Sequence, residues 1–122
     1  PEATTTWQNT LGCLIDGWLN TYGLFVKPYV STYDEDGNHY VTIGADAGVF
    51  TSLHFTLVNP RQGAVCTYIN ASFDGVKLED GEAYITRMNG TIISGTFRGG
   101  NVTEGRFDIR YSEESEGGEV VY

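Results

Sequence analysis

Short runs of alternating hydrophobic and polar residues, separated by turn dipeptides, cover most of the chain. In the clearest run, Leu53, Phe55 and Leu57 fall on one face, and His54 and Thr56 fall on the other. This two-residue period is typical of a half-buried β-strand. No window shows the sustained 3.6-residue apolar period of an amphipathic helix, so we expect no helix longer than about two turns.

Similar runs predict strands along the whole chain, in addition to the run at 52–58. They cover residues 11–16, 39–45, 63–72, 82–88, 91–97 and 103–111, with an extended segment at 23–33. About eight or nine strands predict an all-β fold, either an antiparallel β-sandwich or a closed or partly open β-barrel. The periodicity leaves these architectures open. The expected core comprises Leu11, Ile15, Val41, Ile43, Leu53, Phe55, Leu57, Ile93, Phe97, Phe107 and Ile109.

Glycine-containing dipeptides mark the turns between these strands. Asn89-Gly90 is a strong hairpin signal, and a two-residue loop there would place Tyr84 opposite Gly95. Asp16-Gly17 is expected to close the first strand. Pro28 cannot donate a ladder hydrogen bond, so the strand around it is expected to lie at an edge of the sheet or to begin there.

The segment around Asp36-Gly37 is the clearest hairpin, and it carries the candidate binding residues. A two-residue type I′ turn there sets a register that pairs Tyr33 with Tyr40 and leaves Tyr29 on the same face. Exposed tyrosines offer flat rings for stacking and hydroxyls for hydrogen bonds, so we expect this face to bind a carbohydrate or a protein. The alternative is that the tyrosines close a second layer or cover a loop. The predicted face comprises Tyr29, Ser31, Tyr33, Tyr40, Thr42 and Gly44, and the opposite face Val30, Thr32, Val41 and Ile43.

The length and charge of the chain limit the number of domains and the kinds of partner that we expect. A chain of 122 residues that is 40% hydrophobic can bury one core, so we expect a single β-domain over 11–112. It would follow a flexible lead at 1–10 and precede an acidic tail at 113–122, whose last three residues could add a short edge strand. The net charge of −9 repels phosphate backbones, so nucleic acid is not an expected partner. No run approaches the ~20 apolar residues of a membrane-spanning helix.

Metal and cofactor motifs are not found. Asp34, Asp36 and Asn38 alternate like the first ligands of a calcium loop, but His39 and Ala45 stand where that loop needs Gly and Glu. A hairpin turn explains the same residues. The two histidines have no zinc-ligand spacing, and no phosphate- or dinucleotide-binding motif occurs. We therefore expect no metal and no cofactor.

Cys13 and Cys66 are the only two cysteines. They could form a disulfide in an oxidising compartment or remain two buried thiols, and their spacing leaves both open.

No residue is set apart by a catalytic motif, so we expect no enzyme activity and name no catalytic residue. The rival hypothesis is a hydrolase that uses carboxylates brought together by the fold, with Glu79, Asp80, Glu82 and Glu104 as the candidates.

Four segments resemble a family of small exported lipoproteins of Bacteroides and its relatives, for which no activity is established. They read LGCLIDGWL at 11–19, ITR at 85–87, IISGTF at 92–97 and TEGRFDI at 103–109, in the family's order. The resemblance implies export to the periplasm or cell surface and tethering by a lipid anchor outside the residues given. The chain departs from the family in a shorter loop at 89–90 and a short connection at 98–101.

These observations combine into one leading hypothesis with two rivals. We expect a noncatalytic, tethered extracytoplasmic β-domain that binds a glycan or another envelope protein. The rivals are the hydrolase and a structural accessory domain without a ligand. A concave pocket with paired carboxylates would favour the hydrolase, and an exposed aromatic patch would favour binding.

Overall fold

The computed structural model describes residues 9–23, 26–46 and 52–111, and this part of the chain contains ten β-strands and no helix. The strands are β1 (Thr10–Ile15), β2 (Trp18–Tyr22), β3 (Tyr29–Glu35), β4 (Asn38–Asp46), β5 (Ser52–Val58), β6 (Val65–Phe73), β7 (Val76–Lys77), β8 (Gly81–Met88), β9 (Ile92–Gly99) and β10 (Val102–Arg110). The all-β prediction is confirmed. The sequence pattern missed the short strands β2 and β7.

All ten strands belong to one antiparallel sheet that is curled into a half-barrel. The order is β2-β1-β10-β9-β8-β6-β5-β4-β3, with β7 paired to β6. Strands β3 to β10 thus form a meander, and β1 adds to its far side by pairing with the last strand. Strand β3 lies at an edge, as Pro28 predicts.

The length of one connection explains why the sheet must curl. Strands β2 and β3 form opposite edges, and a flat path of nine strands would separate them by about 38 Å at ~4.8 Å per step. The chain passes from Tyr22 to Tyr29 between them, a stretch that spans at most about 25 Å when fully extended. The sheet therefore bends until its edges approach, and its concave side becomes the core.

Asp-Gly dipeptides form the tight turns of three hairpins. Both residues have positive φ at Asp16–Gly17 (54° and 84°), Asp36–Gly37 (54° and 82°) and Asp74–Gly75 (56° and 84°). Type I′ turns require this backbone conformation, which glycine and aspartate tolerate better than most residues. The turn predicted at 36–37 is confirmed, with Glu35 opposite Asn38.

The hairpin at Asn89–Gly90 differs from the prediction. Neither residue has positive φ, and Met88 pairs with Ile93, so the loop is longer than two residues. The Asn89 side-chain oxygen accepts hydrogen bonds from the backbone N–H groups of Thr91 and Ile92, at 2.8 and 3.1 Å. This side-chain turn replaces the type I′ turn.

A β-bulge between Ile85 and Arg87 shifts the register further along the same hairpin. Tyr84 therefore lies opposite Thr96, and Ile85 lies opposite Gly95. The predicted pairing of Tyr84 with Gly95 is wrong, because the longer loop moves the partner of each β8 residue two positions along β9 and the extra β8 residue in the bulge takes back only one of them.

The core lies on the concave side of the sheet, and all eleven residues predicted for it are buried. Aromatic rings occupy its centre. The Phe55 ring centroid lies 4.4 Å from that of Phe97, 5.2 Å from that of Tyr68 and 6.0 Å from that of Phe107. Further buried residues include Cys13, Tyr22, Tyr68, Ile85, Val102 and Tyr111.

Tyr68 and Tyr22 bury their hydroxyl groups without a hydrogen-bond partner among the described residues. The Tyr68 hydroxyl lies against Gly81 and Gly99, where a β-carbon at either position would come within 2.6 Å of the oxygen. The glycines thus make room for the ring, and no described group forms a hydrogen bond with its oxygen. An unpartnered buried hydroxyl costs about 1–3 kcal/mol.

We therefore expect Tyr68→Phe to leave the free energy of unfolding unchanged or to raise it by up to ~1 kcal/mol, measured by urea denaturation. Tyr111→Phe is the matched control, because this buried hydroxyl donates a 3.0 Å hydrogen bond to the Asn89 carbonyl oxygen. The control should lose about 1 kcal/mol. A loss in Tyr68→Phe equal to that in the control would show that the Tyr68 hydroxyl has a partner.

Both cysteines are free thiols, so the disulfide that the sequence left open is not formed. Cys13 lies on β1 and Cys66 on β6, with β10, β9 and β8 between them in the sheet. Burial raises the pKa of the Cys13 thiol from 9.0 to about 11 and also raises the pKa of Cys66. The folded state therefore favours the neutral thiols.

This raised pKa predicts a loss of stability in alkali. Well below pH 9 the Cys13 thiol is neutral in both the folded and the unfolded protein, and its contribution to the free energy of unfolding is constant. Between pH 9 and 11 the unfolded chain ionises first, so the free energy of unfolding falls as pH rises. Urea denaturation across this range should show a shallower fall in Cys13→Ala than in the parent. If the free energy of unfolding fell equally steeply with pH in both proteins, the raised pKa of Cys13 would be wrong.

Two predicted segments fall largely outside the described residues, namely the lead at 1–10 and the acidic tail at 113–122. Of the lead, Asn9 and Thr10 are described, and β1 begins at Thr10. In the described ranges no helix is long and apolar enough to cross a membrane.

Candidate binding face

The outer surface of β3, β4 and β5 carries the predicted tyrosine face, and its register is confirmed. Tyr33 pairs with Tyr40, Ser31 with Thr42, and Tyr29 with Gly44. Strand β5 extends each of these rows by one residue, which the sequence did not predict. The three added residues are Val58, Thr56 and His54, respectively.

Tyr33 and Tyr40 form a stacked aromatic pair at the hairpin end of this face. Their ring centroids are 4.8 Å apart with an angle of 21° between the ring planes. Tyr33 lies on the edge strand and is 43% exposed, whereas Tyr40 is half-buried. The stack therefore presents an accessible aromatic surface at Tyr33 that is held in place by Tyr40.

Asparagine side chains connect this stack to the end of β5. Asn59 donates a 2.8 Å hydrogen bond to the Asn38 side-chain oxygen and accepts one from the backbone N–H of His39, also 2.8 Å. Asn38 in turn donates to the Tyr40 hydroxyl at 3.5 Å. Asn59 adopts positive φ of 51° directly after β5, which aims its side chain at the hairpin. The network fixes the hairpin against its neighbour.

Tyr29 and His54 form the other end of the face, over Gly44. Their ring centroids are 6.0 Å apart, and a β-carbon on Gly44 would overlap the His54 ring and lie 2.8 Å from the Tyr29 hydroxyl. The bare glycine thus lets both rings lie over the sheet. His54 Nε2 lies 2.8 Å from Asp46 Oδ1, which orients the imidazole. Burial is the largest cause that raises the pKa of Tyr29, and nearby Asp46 raises it further.

Small hydroxyl residues lie between these aromatic ends. The Thr42 and Thr56 hydroxyls are 2.8 Å apart and hydrogen-bonded, with Thr42 half-buried and Thr56 buried. Ser31 is exposed in the same row. At about 3.3 Å per residue, the two aromatic ends lie roughly 13 Å apart along the strand. The hydroxyl row of Ser31, Thr42 and Thr56 lies between them.

No described strand forms a second layer over the tyrosines. All ten strands of the described ranges lie in one sheet, so none of them forms a second layer over this face. Tyr33 is therefore exposed, while Tyr29 and Tyr40 are half-buried by their neighbours on the same surface. On the inner face, Val30 is half-buried and Thr32 is exposed, because β3 borders the open side of the half-barrel.

The charge around this face is negative. Residues 29–58 include no lysine or arginine, and the described acids among them are Asp34, Glu35, Asp36 and Asp46. Asp34 Oδ1 lies 2.6 Å from His39 Nδ1. No group of three or more potential metal ligands occurs in the described ranges. An uncharged ligand fits this surface better than an anion.

A second surface lies farther around the half-barrel, on the outer side of β8, β9 and β10. It is a groove of about 490 Å³. Two of the four candidate hydrolase carboxylates, Glu82 and Glu104, line it, whereas Glu79 and Asp80 lie outside it. Its other outward-facing lining residues are Val65, Tyr84, Thr96, Arg98 and Arg106.

Sequence reasoning missed several residues of both surfaces. The alternation placed His54 and Thr56 on an outer face, but only the β4–β5 register brings them beside Gly44 and Thr42. Asn38 and Asn59 are 21 positions apart and meet only through that register. No local signal could have found the groove, because it depends on pairing among β6, β8, β9 and β10.

Searches against family models, curated proteins and solved structures found no match to this chain.

Proposed function

We propose that this chain is a noncatalytic binding domain whose outer tyrosine face recognises an uncharged glycan. The observation that carries the proposal is the exposed Tyr33 ring stacked at 4.8 Å on Tyr40. A ring that is already held by a neighbour loses little conformational freedom on binding. Its apolar face can pack against the C–H groups of a sugar, as aromatic anchors do in binding sites.

Hydrogen-bonding groups lie within the same face. Ser31 offers an exposed hydroxyl beside the stack, and Tyr33 adds its phenol. The absence of lysine and arginine from 29–58, together with Glu35 and Asp46 in the register of this face, favours a neutral saccharide over an acidic one. The aromatic ends are roughly 13 Å apart, which leaves room for more than one sugar ring across the hydroxyl row of Ser31, Thr42 and Thr56.

An envelope protein is the second candidate ligand, since in the described ranges β3 pairs only with β4 and leaves its other edge open. Such an edge can accept a strand from a partner. Pro28 just before β3, and Asp34 and Glu35 within it, are features that discourage pairing at sheet edges. The side-chain surface therefore supports the glycan more strongly.

The proposal includes export and a lipid tether at the periplasmic or cell-surface side of the envelope. Its support is the resemblance of four segments to exported lipoproteins, and the acidic, strand-rich composition is compatible with it. Membrane fractionation of the full precursor is the experiment. Recovery in the soluble cytoplasmic fraction would contradict this part of the proposal alone.

Titration of neutral oligosaccharides by calorimetry, after an array screen, tests the binding face. We expect Tyr33→Ala to weaken binding by about tenfold or more, because the accessible ring supplies the stacking surface. Tyr33→Phe should retain most of the affinity, since the ring remains. The melting temperature of Tyr33→Ala should change little, as the side chain is 43% exposed.

Trp18→Ala serves as a control, because Trp18 is an aromatic residue that is 77% exposed on β2, outside the strands β3, β4 and β5 that carry this face. Binding in the control should equal that of the parent. Unchanged binding in Tyr33→Ala, or no neutral glycan bound in the screen, would refute the glycan proposal. Cleavage of the bound glycan would refute the noncatalytic assignment.

A further inference from the structure

The groove on β8, β9 and β10 combines a platform of exposed apolar groups with arginines. Val65 on β6 pairs with Tyr84 on β8, and they are 62% and 43% exposed. Tyr84 pairs in turn with Thr96 on β9, and Thr96 with Arg106 on β10. One continuous row across four strands therefore passes from an aliphatic group through an aromatic ring to a guanidinium.

The depth of the groove follows from the irregular strands beneath it. Strand β8 has a bulge between Ile85 and Arg87, and β10 has one between Val102 and Gly105, with Glu104 in a positive-φ conformation of 52°. Bulges increase local twist and bend a strand. The outer surface between them becomes concave, with a volume of about 490 Å³, which is within the usual range for small-ligand sites.

Arginines are concentrated on these strands. Residues 81–110 carry four arginines and three acids, whereas the rest of the chain carries three cations and thirteen acids. One of the three acids is already engaged, since Asp108 accepts a 2.8 Å hydrogen bond from the Ser94 hydroxyl. Charges beyond the screening length of ~8 Å contribute little to the potential here. The groove lining itself holds two arginines, Arg98 and Arg106, and two acids, Glu82 and Glu104, so its net charge is near zero. An anion here gains from direct contact with a guanidinium rather than from the local potential.

Two of these arginines have donors left for a ligand. Arg98 Nη2 lies 4.0 Å from Glu82 Oε1, and both side chains are mostly exposed, which makes a weak ion pair. Arg106 has no ion-pair partner among the described residues. A guanidinium with unused N–H groups binds a carboxylate through two parallel hydrogen bonds.

The backbone excludes one kind of occupant. Strands β8, β9 and β10 are paired on both sides, so their N–H and C=O groups are used in the sheet. A peptide could not add as a strand here, and only a compact ligand with its own polar groups would use the surface.

We propose that this groove binds an anionic saccharide, with the acidic group on Arg106 and Arg98 and the sugar ring on Tyr84. The site is separate from the tyrosine face and does not depend on the function proposed for it. The two surfaces differ in the groups that they offer to an acidic ligand, since residues 29–58 include no lysine or arginine, while the groove has two arginines beside two glutamates.

Calorimetric titration with an oligogalacturonate, a sulfated oligosaccharide and a neutral oligosaccharide of equal length tests the proposal. We expect an acidic oligosaccharide to bind and the neutral one not to bind at this site, and the affinity to fall at high salt. The carboxylated and sulfated probes show which acidic group is preferred. In the Tyr33→Ala variant, which lacks the stacking ring of the tyrosine face, binding of the neutral probe as tightly as the acidic ones would overturn the proposal.

Variants locate the binding to the groove. Arg106→Gln should weaken binding of the acidic oligosaccharide about tenfold or more. Arg106→Lys should recover part of this loss, because it keeps the positive charge but lacks the planar guanidinium. Arg61→Gln, at an exposed arginine on the β5–β6 connection, is the matched control and should bind normally. Unchanged binding in Arg106→Gln, or equal loss in Tyr33→Ala, would refute the assignment. Circular dichroism of each variant verifies that it is folded.

Discussion

Gly95→Ala is expected to destabilise the protein by more than about 3 kcal/mol, enough to unfold a marginally stable domain. Gly95 lies on β9 opposite Ile85, beside the bulge in β8. A β-carbon there would overlap the Tyr84 carbonyl oxygen and lie 2.8 Å from the Phe107 ring. The first obstacle is backbone held in the sheet, so no change of side-chain rotamer relieves it.

Urea denaturation followed by tryptophan fluorescence and circular dichroism measures this loss. Gly90→Ala is the matched control on the same hairpin, because nothing lies within 4 Å of its β-carbon position and its φ is not left-handed. The control should remain within about 0.5 kcal/mol of the parent. If the two variants were equally stable, the close approach of β8 and β9 at Gly95 would be wrong.

Phe55→Ala is expected to cost about 3–5 kcal/mol, because it removes the central ring of the core and leaves a cavity. Phe55 is 1% exposed and contacts Tyr68, Phe97 and Phe107. Its stack with Phe97, with centroids 4.4 Å apart, is lost in the same change. The neighbouring strands are tied by ladder hydrogen bonds, so the space cannot collapse fully.

Two further variants separate ring packing from simple loss of apolar area. Phe55→Leu should cost less than Phe55→Ala because it retains much of the volume. Trp18→Ala removes an aromatic ring that is 77% exposed and should change the free energy of unfolding by about 0.5 kcal/mol or less. A larger loss in Trp18→Ala than in Phe55→Ala would place the core elsewhere.

The tyrosine face was predictable where a tight turn fixes the register. Asp36–Gly37 sets a two-residue loop, and counting from it gives the pairs Tyr33–Tyr40 and Tyr29–Gly44 that the structure shows. Asn89–Gly90 carries an equally strong signal and does not form that turn. There the Asn89 side chain bonds to the following backbone, a competing local interaction that sequence pattern alone does not distinguish.

The rest of both surfaces depends on contacts between distant segments. The β4–β5 register brings His54 to Gly44, and the groove requires β6, β8, β9 and β10 to be neighbours. The bulges in β8 and β10 shape the groove, and neither has a sequence signature that fixes its position. Such features arise where the strands adjust to the packing of the curled sheet.

The sequence by itself determined where the longer strands lie, which face of each of them is apolar and where the tight Asp-Gly turns form. These properties follow from backbone conformation and side-chain alternation within a few residues. Only the tertiary structure decided that β1 pairs with β10 and that the sheet closes partway into a barrel. Pairing between residues nearly a hundred positions apart, such as Thr10 and Asp108, is selected by the total burial of the core rather than by any local preference.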